Sequence, residues 1–178
     1  MAKAQKKTTP ATKNSQPCSL NLKDSPMIRG LRLEMTKAEV KKEYPLMVFT
    51  DDFPKEQVKE RDNAGLAKKA QLANSAHKEN LESITVLFGN DNRVLTILLL
   101  FDSSTYGPTT KDFAGKISES LNLPKNKWEA ARGGGNASVL YCDGFAVTVN
   151  FSEENKPILF LAKAPDKMTN ADRETLKP

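Results

Sequence analysis

A chain of 178 residues, with 27 Lys and Arg against 22 Asp and Glu, is long enough for one domain with a real core or for two small units sharing one. Its 38% apolar content reads as a soluble globular protein, and no run approaches the ~18 apolar residues of a membrane helix. The net charge of +5 sits at one end: Lys3, Lys6, Lys7 and Lys13 fall within residues 1–17, where no acid occurs, so the remainder is close to neutral and nucleic acid is not an expected partner.

Residues 1–17, rich in Lys, Thr, Pro, Asn and Gln, read as a disordered basic tail. Cys18-Ser19-Leu20-Asn21-Leu22 suggests a short strand, and Asp24-Ser25-Pro26 a turn. The strongest local signal is Met35-Thr36-Lys37-Ala38-Glu39-Val40. Thr36 and Glu39 are spaced as a capping box, Met35 and Val40 as a hydrophobic staple, and Pro45 stops the helix they start. Pro54 suggests a further helical turn, and Asp51 with Asp52 ahead of it suit a turn or a helix start rather than acid–base chemistry. Residues 64–76 satisfy two patterns: Ala, Lys and Leu favour helix, while Leu66, Lys68, Ala70 and Leu72 alternate as an edge strand would.

Ile84, Val86 and Phe88 alternate, Gly89-Asn90-Asp91-Asn92 turns, and Val94–Phe101 returns as eight residues of which only Thr96 is not apolar. This is a β-hairpin, and a strand apolar on both faces belongs in the middle of a sheet with both faces covered. Thr109, with Asp112 three residues on, starts a second helix whose buried face is Phe113, Ile117 and Leu121, ended by Asn122 and Pro124. Trp128 is expected on a strand, Gly133-Gly134-Gly135-Asn136 in a loop, and Asp143-Gly144 at the two-residue turn of a hairpin. Ile158–Lys163 forms a last strand, and 164–178 a polar tail.

The expected fold is α+β, with short helices packed on antiparallel sheet in one domain over 18–163. Its two parts, 27–102 and 103–163, repeat one pattern of a Thr-capped helix followed by a β-meander. The segment from Ile28 to Val40, with Arg29-Gly30-Leu31-Arg32-Leu33 leading to Met35-Thr36, resembles the helix start of small envelope proteins of the SmpA/OmlA (BamE-like) family. It is also similar to the tandem-repeat β-lactamase-inhibitor-protein fold, and to uncharacterised bacterial proteins that open on the same Arg-Gly-x-Arg-Leu phrase. The motif departs from the family where Glu34 replaces the glycine before Met-Thr, and no lipid-attachment box precedes Cys18. The resemblance implies a non-catalytic protein-binding or structural module of the envelope, whereas the absence of a visible export signal implies the cytoplasm or a leader already removed.

A turn at Asp143-Gly144 sets Cys142 opposite Phe145, on the same side as Val147, Val149 and Phe151. Cys142 is then either a buried free thiol or, in an envelope protein, half of a Cys18–Cys142 disulfide. Catalytic and metal constellations are not expected: His77 lies in a polar run, no Gly-x-Ser-x-Gly elbow occurs, and the glycine loop lacks the Lys-Ser/Thr of a phosphate cradle. No cofactor follows from these residues. A protein partner is the expected one, held around Trp128 and Tyr141, and the alternative is a cytosolic protein whose Lys-rich tail holds nucleic acid or another polyanion.

Overall fold

The computed structural model describes residues 18–52, 69–72, 80–102, 106–131 and 136–164. The expected tails over 1–17 and beyond 164, the helical turn at Pro54, His77 and the loop Gly133–Gly135 lie outside the described residues.

Thr36 Oγ1 accepts from the Glu39 N–H at 3.2 Å, and the Glu39 carboxylate accepts from the Thr36 N–H at 2.7 Å. This reciprocal cap starts α1 (Lys37–Glu43) at the expected residue. The Tyr44 N–H makes the last bond, to the Val40 carbonyl, and Pro45 has no N–H with which to continue. Helix α2 (Thr110–Leu121) is capped by Thr109, which accepts from the Asp112 N–H, and it closes on Asn122 in the left-handed region at φ 53°. Phe113 and Ile117 are buried, and the Phe113 ring contacts those of Phe101, Tyr106 and Phe151. Both helices place their buried residues in the same apolar cluster, so they share one face of the sheet.

The strands are β1 (Cys18–Asn21), β2 (Val48–Phe49), β3 (Lys69–Leu72), β4 (Leu81–Phe88), β5 (Val94–Phe101), β6 (Glu129–Ala130), β7 (Ser138–Asp143), β8 (Phe145–Phe151) and β9 (Pro157–Lys163). They form one sheet in the order β1-β7-β8-β9-β5-β4-β3-β2, with β6 also on β7. Strand β5 is central, as its apolar run requires, and it pairs with β9 through Thr96↔Ala162 to Leu100↔Ile158. The ambiguous 64–76 stretch supplies strand β3 at 69–72 rather than helix there, because β4 offers it a full antiparallel ladder. Trp128 is not on a strand: it closes a 3-10 turn, Lys125–Lys127, and β6 starts after it.

The sheet is mixed, which corrects the expectation of purely antiparallel pairing. Strand β1 runs parallel to β7, with Cys18 opposite Cys142 and Asn21 opposite Asp143. Cys18 and Cys142 stand at disulfide distance, Cα atoms 4.4 Å apart, and the structure joins them. Strands β6 and β1 share one edge of β7, β6 at Ser138–Val139 and β1 at Cys142–Asp143, so that edge is covered from both ends. Gly144 adopts φ +100° at the β7–β8 turn, and Leu22 packs so closely on it that an added Cβ would stand 2.9 Å from the Leu22 Cβ.

Candidate functional site

Alternation along the strands assigns each residue to a face. Val86, Ile97, Leu99, Leu159, Leu161, Val147, Val149 and Leu140 point toward the helices and are at most 1% exposed. The residues between them form the other face. Register places Thr85, Leu98, Phe160, Thr148 and Val139 in one row across β4, β5, β9, β8 and β7. Leu87, Thr96, Ala162, Ala146 and Tyr141 form the next row, and Ser83, Leu100, Ile158 and Asn150 a third. None of these residues carries a formal charge.

Phe160 and Tyr141 are the large side chains left open on this face, at 37% and 39% exposure, and Leu98 and Leu100 beside them are half-buried. The expectation that both faces of β5 are covered is met in full on the helix side and in part on this one, where Thr96 is 2% exposed and Leu98 and Leu100 are half-buried. Sequence reasoning named Tyr141 and missed Phe160. The available signal was the alternation Ile158, Phe160, Ala162 against Leu159 and Leu161, where both registers are apolar and the sequence does not say which one the helices cover.

Trp128 is placed elsewhere. Its indole N–H donates to Ser118 Oγ at 2.7 Å, Ser118 on α2 is 2% exposed, and the ring packs against the core. Trp128 and Tyr141 thus do not share a face. The cap and staple residues Met35, Thr36, Glu39 and Val40 serve the α1 start, where the backbone of Glu34 and Met35 also bonds both backbone groups of Val94. This short pairing takes up the part of the β5 edge beyond Thr96, where the β9 ladder ends.

Beside that pairing lies a cleft of ≈ 740 Å³ between the segment Asn21–Ser25, the approach to α1 and the β4–β5 turn. Glu34 adopts φ +68°, a region an L side chain seldom occupies, and its carboxylate meets Lys163 Nζ at 3.0 Å. The Lys163 side chain is only 10% exposed. Arg93 donates to the Glu34 carbonyl at 2.9 Å, which fixes the loop from the opposite side. Glu39 is held below the ordinary carboxylate range, first by the Thr36 backbone N–H, then by the Thr36 hydroxyl, with a smaller pull from the charges of Arg32 and Arg93.

Among the described residues no three His, Cys, Asp or Glu side chains gather as a metal site, and no helix is long and apolar enough to cross a membrane. Compared with protein-family models, with curated proteins and with solved structures, the chain matches none of them.

Proposed function

We propose that the protein is a non-catalytic binding module that holds a protein partner on the uncharged sheet face around Phe160 and Tyr141. The observation that carries this reading is the absence of any formal charge along three rows of residues, two spanning five adjacent strands and one spanning four, together with two open aromatic side chains. Solvated sheet faces are normally polar, and antiparallel sheets alternate accordingly. At about 4.8 Å per strand and about 3.3 Å per residue the face measures roughly 24 by 17 Å, or about 400 Å². Nine of the fourteen residues in this footprint are apolar, and exposed apolar patches on monomers are often functional. The partner surface that fits it is apolar and neutral, because a charge set against Phe160 and Leu98 would lose its water without gaining a counter-charge.

Two structural readings accompany this one. The element order α1-β2-β3-β4-β5 and α2-β6-β7-β8-β9, with β5 and β9 meeting at the centre, supports two like units back to back, each with a helix and four strands among the described residues. The Cys18–Cys142 pair supports an oxidising compartment such as the cell envelope, where disulfides persist.

The test compares capture of partners from native extract by the immobilised chain and by Phe160→Glu, with Lys111→Glu on the exposed side of α2 as the control. The expected result is a protein retained by the native chain and by K111E, and lost with F160E, while the thermal unfolding of F160E stays close to native. Equal retention by all three overturns the reading. Mass analysis with trapped thiols tests the compartment: a linked pair supports it, and two thiols overturn it.

A further inference from the structure

The cleft beside Glu34 has no part in that docking face, and its volume falls in the range of about 300–1,000 Å³ typical of small-molecule sites. Its lining carries three cationic side chains, Lys23, Arg32 and Arg93, and three carboxylates, Glu34, Glu39 and Asp143. The two signs are not equally committed. Glu39 is held by Thr36, Glu34 meets Lys163, and Asp143 has partners of its own. Arg93 bonds the Glu34 carbonyl. The Arg32 guanidinium and the Lys23 ammonium make no hydrogen bond or ion pair among the described residues.

The same lining carries three apolar side chains. Leu33 is 2% exposed, and Leu22 and Met35 are half-buried against the core. The walls are also fixed in advance. Val94 and Arg93 hold the Arg32–Met35 side, while β1, the cysteine pair and the close packing of Leu22 on Gly144 hold the Asn21–Ser25 side. A preformed cleft loses little on binding.

We propose that this cleft binds a singly charged amphiphilic organic anion, with its head group on Arg32 and Lys23 and its apolar body along Leu22, Leu33 and Met35. A single charge suits a lining whose three positive and three negative groups balance. Arginine presents two parallel N–H groups to a carboxylate, which makes a monocarboxylate the natural head.

The test is an NMR amide titration of the oxidised chain with octanoate, octan-1-ol and octylamine, each kept below the concentration at which it self-associates. The expected result is saturable binding of octanoate, with shifts at Leu22, Leu33 and Met35, at least tenfold tighter than octan-1-ol or octylamine. Arg32→Gln removes an exposed side chain that acts on the α1 cap only through its charge on Glu39; it should weaken octanoate about tenfold, the usual scale of one charge-assisted bond, and leave octan-1-ol unchanged. Absence of saturable octanoate binding, equal binding of octan-1-ol, tighter binding of octylamine, or an unchanged affinity in R32Q each overturns the proposal. Shifts confined to the Phe160 face overturn it too, and leave the docking reading standing.

Discussion

Replacing Glu34 by glycine tests whether the strained backbone at this position is maintained by the ion pair it makes. An L residue in the left-handed region costs about 1–2 kcal/mol, and glycine relieves it, although part of that gain returns as lost freedom in the unfolded chain. Against this stands Lys163, whose side chain is 10% exposed and would lose the carboxylate at 3.0 Å. Removing one partner of a fully buried pair costs about 3–5 kcal/mol; with Glu34 itself 35% exposed, a discounted value of about 2–3 kcal/mol applies. The net expectation for E34G is a loss of about 1–2 kcal/mol, a fall in melting temperature of roughly 3–6 °C for a fold of this size. In a Lys163→Met background no ammonium is left to strand, so the same E34G change should be neutral or stabilising by up to about 1 kcal/mol. Urea unfolding of the four proteins, all oxidised, gives the coupling directly, about 2–3 kcal/mol. An equal E34G loss in both backgrounds, or a gain in the native one, refutes the argument.

Three other outcomes are expected. Replacing both Cys18 and Cys142 by alanine, which frees a loop of sequence separation 124, should cost up to about 5 kcal/mol on the chain-entropy model, read as a lower urea midpoint; an unchanged midpoint would show that the pair adds nothing. Gly144→Ala must move Leu22 and occupy φ +100°, so it should cost about 1–3 kcal/mol, whereas Gly115→Ala in α2, where an added Cβ meets nothing within 4 Å, should stabilise by up to about 1 kcal/mol; calorimetry of both variants would expose a reversed order. Glu39 titrates below its ordinary 4.5, so its contribution to stability is complete above that value and is lost as pH falls through the lower folded value; Thr36→Val removes the hydroxyl and keeps the backbone N–H, so it should return the titration only part of the way toward 4.5 by NMR, and a full return contradicts the backbone N–H as the main cause.

What the sequence discloses and what it withholds divide along contact range. The α1 start, the α2 caps and the β4–β5 and β7–β8 turns are legible because each is decided within three or four residues, by Thr36 with Glu39, Thr109 with Asp112, or Asp143-Gly144. The parallel β1–β7 pair is not, since Cys18 meets Cys142 across almost the whole fold and residues 18–21 carry nothing that sets direction. Trp128 shows the limit for a site: its aromatic ring invites a surface role, and only the bond to Ser118 fixes it against α2. Glu34 is the converse: its left-handed backbone has no cause among its sequence neighbours, and Lys163, which meets its carboxylate, lies far along the chain.

The β5–β9 seam has a consequence for how the chain is made. As synthesis proceeds, β4 and β5 can close as a hairpin once Phe101 has emerged, but the other edge of β5 waits for Pro157–Lys163, roughly sixty residues later. At about 5–20 residues per second that interval lasts about 3–12 s. Throughout it the Thr96–Leu100 part of that edge stands unpaired, in a strand with seven apolar residues of eight and no charge or proline, the segment type most prone to pair with another chain. The last of the described strands to emerge is thus the one that seals the most adhesive one, and a chain truncated before Pro157 would be exposed to aggregation even though α1 and α2 were complete.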